Sequence, residues 1–92
     1  MKEKKKLNLG CGTDIRRGFV NLDQWKFKGV DVVHDLNKFP YPFKVSTFEE
    51  VHCHQVLEHV DDVFSVMQEI WRISKPNALV YIDVPHFSGL NA

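Results

Sequence analysis

Two glycines and a downstream carboxylate are the residues of this chain whose spacing points most directly to chemistry. Gly10 and Gly12 follow a short apolar run, and Asp23 ends a second run that begins at Phe19. Glycines let a backbone approach a ligand closely, and a carboxylate at the tip of the next strand accepts hydrogen bonds from ribose hydroxyls. The spacing therefore indicates a nucleoside-binding site.

The elements that must position these residues are strands that alternate with a helix and with crossover segments. Apolar runs predict five strands, at residues 6–9, 19–23, 30–34, 48–54 and 79–84. Segment 38–43 contains Pro40 and Pro42, which exclude regular structure there. This order predicts one α/β domain over residues 1–92, Rossmann-like, with a mostly parallel sheet and few helices. The continuous apolar run of the fifth strand predicts that both of its faces are covered.

A helix is predicted between the fourth and fifth strands. Asp61 and Asp62 are expected to cap its start, and Asn77 to adopt a left-handed conformation after its end. Helical spacing places one apolar stripe on this segment, from which we expect Phe64, Met67 and Trp71 in the core. The stripe comprises Val60, Val63, Phe64, Met67, Ile70 and Trp71.

Composition narrows the class of protein. Of the 92 residues 43% are hydrophobic, which is enough for a packed core and argues against disorder. Twelve basic and twelve acidic residues cancel, so neither nucleic acid nor membrane is predicted as a partner. No apolar run approaches the roughly 20 residues of a membrane helix. Cys11 and Cys53 are predicted to be free thiols in a reducing, cytoplasmic setting.

The order of motifs resembles the class I S-adenosylmethionine-dependent methyltransferases, in particular the broad group that acts on small molecules. The resemblance covers about residues 6–88 and implies S-adenosylmethionine as cofactor, a small-molecule acceptor and the strand order 3-2-1-4-5. The matching segments are residues 7–12, 20–23, 31–36, 48–59, 71–77 and 79–86.

The resemblance also implies roles for individual residues. Gly10, Cys11 and Gly12 would form the turn under the methionine part of the cofactor, and Asp23 would bind the ribose. Asp35 and Leu36 fall where the family contacts adenine, and His54 and Gln55 lie beside the transferable methyl. A base is needed only when the acceptor must lose a proton, and three histidines are candidates for it. They are His54, His59 and His86, each of which also has a structural or surface interpretation.

The chain departs from the family pattern in three places. Asn8 stands where the family often has an acidic residue in its first strand. Only six residues separate Gly12 from Phe19, too few for a full crossover helix. The chain also stops soon after the fifth strand, where the family has two more strands and another helix. The fifth strand is then expected to form an apolar sheet edge, through which we predict a homo-oligomer.

Three other interpretations remain open at this stage. A non-catalytic module could keep the cofactor-binding half of the fold and serve in binding or oligomerisation. A nicotinamide site shares the two glycines and the acid, although Ile15 stands where its third glycine would fall. A metal-binding module could draw its ligands from Cys53 and five histidines, but their spacing matches no zinc pattern and no metal is predicted. The histidines are His34, His52, His54, His59 and His86.

Overall fold

The computed structural model describes residues 4–54 and 56–83 and contains a five-stranded parallel sheet. Its strand order is β3-β2-β1-β4-β5, so the predicted α/β class and order are confirmed. A 3₁₀ turn, Leu57–His59, precedes the helix α1, Val63–Ile73. The strands are β1 Lys6–Leu9, β2 Phe19–Asp23, β3 Val32–Val33, β4 Phe48–His54 and β5 Ser74–Asp83.

The two faces of the sheet differ in chemistry. One face is apolar and packs against α1 and the segment between β3 and β4; its core includes Leu9, Leu22 and Cys53. On the other face Asn8 lies between Asn21 and His52 in register. Because side chains alternate along a strand, a sheet covered by helices on one side only can be polar on the other. The short segment after Gly12 takes the place of a crossover helix on this polar face.

The predicted apolar stripe of α1 is wrong in its orientation. Trp71 is 82% exposed and Phe64 71% exposed, while Met67 is only partly buried. The buried positions are Val66, Glu69, Ile70 and Ile73. At 100° per residue, their centre lies roughly 100° around the helix axis from the centre of the predicted stripe. Apolar residues cover a wider part of the α1 surface than the part that contacts the sheet, so some of them stay exposed.

Of the two aspartates predicted to cap α1 the structure confirms Asp62, and α1 ends at Ile73, so that Asn77 lies four residues beyond its end, within β5. Asp62 caps the start, where its Oδ1 accepts a hydrogen bond from the Ser65 N–H at 3.2 Å. Asn77 has a φ of 66°, in the left-handed region. Among the described residues no helix has the length and apolar content that crossing a membrane requires.

Strand β5 differs from its prediction in length and in burial. It begins at Ser74, directly after α1, and its pairing with β4 shifts between Phe48 and Glu50. Leu79, Val80 and Ile82 are each exposed, so the prediction that both faces are covered is wrong for the described residues. These side chains are exposed because β5 lies at the edge of the described sheet. At the opposite edge β3 is shorter than predicted.

A buried carboxylate ties α1 to the segment that leads into β4. Glu69 Oε1 accepts from the Tyr41 N–H at 2.7 Å, and Arg72 Nε donates to Glu69 Oε2 at 2.9 Å. The hydrogen bond from Arg72 lowers the pKa of Glu69 below its ordinary value of 4.5. A carboxyl group whose pKa is lower in the folded state stabilises the fold above the unfolded pKa, and that contribution is lost as the pH falls through the folded pKa.

Replacement of Glu69 with glutamine is therefore expected to weaken the dependence of the free energy of unfolding on pH in the acidic range. At pH 7 the variant should lose about 1.5–3 kcal/mol, the range for hydrogen bonds to a charged group. The difference from the unsubstituted chain should shrink as the pH falls below the ordinary value of 4.5. Urea unfolding at a series of pH values measures both effects. Glu49→Gln, at an exposed position of β4, is the matched control and should follow the unsubstituted chain.

Candidate functional site

Four chain positions form one row at the carboxyl edge of the sheet. Leu9 of β1 pairs with Leu22 of β2 and with Cys53 of β4, which pairs with Ile82 of β5. The next residues along these strands are Asp23, Gly10, His54 and Asp83. In an open parallel sheet this edge is where ligands bind, beyond the carboxyl ends of the strands.

The glycine turn is fixed to the end of β2. The N–H groups of Gly10 and Cys11 both donate to the Leu22 carbonyl, at 2.8 and 2.9 Å. Gly10 has a φ of +70° and Gly12 a φ of +55°, in the left-handed region that favours glycine. A Cβ on Gly10 would lie 2.3 Å from Val56 Cγ2, whereas a Cβ on Gly12 would meet nothing within 4 Å. A side chain at position 10 is excluded by the nearby Val56, whereas at position 12 glycine is favoured by the left-handed backbone conformation alone.

Asp23 is held by two backbone donors. Its Oδ1 accepts from the Gly12 N–H at 3.1 Å and its Oδ2 from the Trp25 N–H at 3.0 Å. The residue is only 8% exposed. Each carboxylate oxygen can accept a second hydrogen bond, so the two oxygens can also receive two ligand hydroxyls. The predicted pair of glycine turn and downstream acid is thus brought together in the structure.

The two residues predicted beside adenine lie close to this pair but differ in exposure. Asp35 Oδ1 accepts from the Asn37 N–H at 2.9 Å, and the preceding His34 N–H donates to the Asp23 carbonyl at 2.9 Å. Leu36 is buried in the hydrophobic core, and its carbonyl accepts from the Tyr41 hydroxyl at 2.9 Å. Leu36 lies next to the glycine turn, since its Cδ1 is 3.7 Å from the position that a Cβ on Gly10 would occupy. Its contact with a ligand stays a prediction.

The candidate histidines are in different surroundings. His54 Nδ1 lies 2.6 Å from Asp83 Oδ2, and both side chains are about half exposed. His59 lies in the 3₁₀ turn, 3.6 Å from Glu58, and is largely exposed. Gln55 and His86, also predicted at the site, lie outside the described residues. Of the candidates that the structure describes, His54 alone belongs to the carboxyl-edge row.

Comparison with known proteins agrees with this geometry. A profile described as a methyltransferase domain matches residues 5–82. The chain belongs to this family. The resemblance to the class I S-adenosylmethionine-dependent methyltransferases is thereby confirmed at the level of the family.

One curated relative is the "Ubiquinone/menaquinone biosynthesis C-methyltransferase UbiE" of Desulfotalea psychrophila (strain LSv54 / DSM 12343), 37% identical over 68 residues. The match covers 71% of this chain and 27% of that protein, so the chain spans about a quarter of its relative's length. No solved structure matches significantly.

The thiols of this methyltransferase domain are poor nucleophiles. Burial, together with the nearby charge of Asp23, raises the pKa of Cys11 to about 11. Burial also raises the pKa of Cys53 to about 11. Both thiols therefore stay protonated near neutral pH, whereas a cysteine nucleophile must be a thiolate. Cys11 contributes its backbone to the glycine turn, and Cys53 packs in the core.

A polar network anchors the short segment after the glycine turn. Asn8 Nδ2 donates to the Asp14 carbonyl at 2.8 Å and to Asn21 Oδ1 at 2.9 Å. The Arg16 side chain reaches His52, with 2.6 Å between Nη1 and Nδ1. Because a guanidinium only donates, His52 accepts at Nδ1 and carries its proton at Nε2, 2.5 Å from Glu50 Oε2. These contacts hold the segment on the polar face without a helix.

Two residues of the site were missed by sequence reasoning. Trp25 is 63% exposed and follows Asp23 by two positions, where its ring can offer a stacking surface. Asp83 pairs in register with His54. A tryptophan two residues after a predicted strand-end carboxylate is a signal that could have been found in the sequence. Asp83 could have been found only by aligning the register of the fourth and fifth predicted strands. Within residues 4–54 and 56–83, no group of three or more possible metal ligands is arranged to hold an ion.

Proposed function

We propose that this domain binds S-adenosylmethionine at the carboxyl edge of its sheet and supports methyl transfer to a small-molecule acceptor. The observation that carries the proposal is the Asp23 carboxylate, fixed between the Gly12 and Trp25 N–H groups. It is nearly buried, ionisable and placed directly beside the glycine turn. A ribose diol complements such a carboxylate, because both hydroxyls can donate to it.

The residues of the turn fit the remainder of that ligand. A Cβ on Gly12 would point into open space, so the backbone is accessible from that side. Asp35 lies one residue after His34, whose N–H donates to the Asp23 carbonyl; this contact supports the proposal that Asp35 lies on the adenine side of the site. His54 is the last residue of β4, the neighbour of the strand that ends before Gly10, and would lie on the methionine side.

Methyl transfer requires position more than covalent chemistry. S-adenosylmethionine supplies an electrophilic methyl group on a sulfonium, whose thioether is a good leaving group. The task of the chain is to fix the donor so that the acceptor can approach in line. Asp23 and the glycine turn would fix the ribose, and the Arg16 and Asn8 contacts would keep the following segment from collapsing into the site.

The acceptor and the cellular setting are also part of the proposal. The relative's name describes it as a C-methyltransferase of quinone biosynthesis. For this chain we propose only a small-molecule acceptor, and a cytoplasmic location supported by two buried free thiols. The alternative of a non-catalytic binding module makes a different prediction, namely cofactor binding without release of S-adenosylhomocysteine.

Thermal unfolding with and without ligand tests the choice of cofactor. A ligand at 100 times its Kd stabilises the folded state by about 2.7 kcal/mol, which corresponds to roughly 10–20 °C for a domain of this size. We expect such a rise in Tm with S-adenosylmethionine and S-adenosylhomocysteine, and no rise with NAD. A rise with NAD alone would replace the methyl-donor proposal with a nicotinamide site.

We also propose that the exposed surface of α1 and β5 binds a second copy of the chain. This surface, here called the β5 surface, exposes on the order of 500 Å² of apolar side chain, toward the upper end of the largest patch that a typical monomer exposes. A cavity of about 590 Å³ lies in it, between α1 and β5. The β5 surface consists of Phe64, Trp71, Val80 and Ile82.

The charges of β5 favour a two-fold arrangement. Lys75 lies near its start and Asp83 at its end. Antiparallel pairing of two β5 strands brings the end that carries Lys75 near the end of the second copy that carries Asp83, whereas parallel pairing would bring like charges together. The formal net charge of zero adds no repulsion between copies.

Light scattering at micromolar concentration is expected to give the mass of a dimer. Val80→Lys places a charge in the β5 surface and should yield a monomer, because lysine on an edge strand opposes pairing. Val33→Lys, an exposed valine at the opposite edge of the sheet, is the matched control and should stay dimeric. A monomeric unsubstituted chain would contradict the proposal and would leave residues 84–92 or another polypeptide as occupants.

A further inference from the structure

His54 and Asp83 form a pair at the carboxyl ends of neighbouring strands. They are partners in the β4–β5 register, and Nδ1 of the imidazole lies 2.6 Å from Oδ2 of the carboxylate. The side chains are 51% and 57% exposed, so the pair is open to a ligand. No other partner of His54 is found within residues 4–54 and 56–83.

The carboxylate fixes where the imidazole carries its proton. An ionised carboxylate only accepts hydrogen bonds, so Nδ1, which lies 2.6 Å from Asp83 Oδ2, is the ring nitrogen at which the neutral imidazole carries its proton. The other ring nitrogen, Nε2, then holds a lone pair. A histidine oriented in this way by a carboxylate can take a proton at Nε2 while the carboxylate stays ionised. His52 has the opposite arrangement, because Arg16 donates to its Nδ1.

The pair lies in the same row as the proposed ribose contact. Strands in a sheet are about 4.8 Å apart, so His54 is two strands, or about 10 Å, from Asp23. Gly10 lies between them. A donor whose ribose is held at Asp23 can extend over the glycine turn and present its reactive end near His54.

We propose that His54 is the general base of the transfer, that Asp83 positions it, and that the acceptor carries a hydroxyl whose proton must leave. The inference rests on the proposed function. In the step, the bond between sulfur and the methyl carbon breaks and its electron pair returns to sulfur, which leaves a neutral thioether. The acceptor oxygen forms the new bond to the methyl carbon, and its proton passes to Nε2 of His54 and then to water.

The test is long-range ¹H–¹⁵N NMR of the histidine rings in the full chain at pH 7.5, with His54→Gln used to assign the signal. We expect His54 mainly in the form with its proton on Nδ1. Asp83→Asn should abolish that preference, and Asp83→Glu should restore it in part. Saturating S-adenosylhomocysteine should shift the Nε2 signal of His54 and leave that of His59, the matched control, in place.

Each result separates the inference from the function on which it depends. Binding of S-adenosylhomocysteine with an unmoved His54 signal would overturn the base assignment and leave the cofactor site standing. The same conclusion would follow if His54 carried its proton mainly on Nε2, or if Asp83→Asn left the ring unchanged while the rest of the spectrum showed a folded protein. Absence of any S-adenosylhomocysteine binding would instead refute the proposed function.

Discussion

Replacement of Asp23 with alanine is expected to weaken binding of S-adenosylhomocysteine by at least 100-fold. The carboxylate can accept hydrogen bonds from two ribose hydroxyls, and each hydrogen bond to a charged group contributes roughly 1.5–3 kcal/mol. Together they correspond to about 3 kcal/mol or more, and 1.4 kcal/mol is tenfold in Kd. Isothermal titration calorimetry of both proteins measures the change.

Two further variants separate a lost ligand contact from a disturbed fold. Asp23 also accepts from the Gly12 and Trp25 N–H groups, so alanine should lower the stability as well. Asp23→Asn keeps the shape and one carbonyl acceptor, and it should weaken binding by less than alanine does. Asp61→Ala, at an exposed aspartate before α1, should bind as the unsubstituted chain does. Equal affinity of the Asp23→Ala and unsubstituted proteins would contradict the assigned role.

Replacement of Gly10 with alanine is expected to be the most destabilising single change in the glycine turn. The new Cβ would lie 2.3 Å from Val56 Cγ2, in a backbone with a φ of +70°. Overpacking costs about 1–3 kcal/mol, and a left-handed non-glycine residue about 1–2 kcal/mol. We therefore expect a loss of about 2–5 kcal/mol, measured by urea unfolding.

The neighbouring glycine provides the control. Gly12→Ala has a φ of +55° but meets nothing within 4 Å, so only the backbone cost of about 1–2 kcal/mol is expected. A second substitution, Val56→Ala, removes the methyl group that clashes and should make Gly10→Ala less harmful than it is alone. A Gly10→Ala protein as stable as Gly12→Ala would show that the close approach to Val56 is not rigid.

Local sequence carried the information for the glycine turn and for Asp23. The residues are close in the chain, and the conformational needs of glycine and the position at a strand end are local properties. The strand order followed from the resemblance to the methyltransferase family, and the structure has the same order. Asp62 at the start of α1 and the left-handed Asn77 are local signals of the same kind.

Other features depended on tertiary packing and could not be read in this way. Seven of the eleven residues of α1 are apolar, so spacing alone did not decide which arc faces the sheet. Glu69 is buried because Arg72 and the Tyr41 N–H satisfy it, and Tyr41 comes from a distant segment. The pairing of His54 with Asp83 required the register of two strands separated by a helix.

Calorimetric titration of the unsubstituted chain with S-adenosylhomocysteine tests the central claim most directly. The product keeps the ribose, adenine and amino-acid parts of the donor, so every proposed contact except that to the methyl group is retained. We predict saturable binding with one site per chain and a Kd of roughly 1–100 μM, or about −8 to −5.5 kcal/mol. No heat of binding at millimolar ligand, from a protein shown to be folded, would contradict the assignment of this sheet edge as a methyl-donor site.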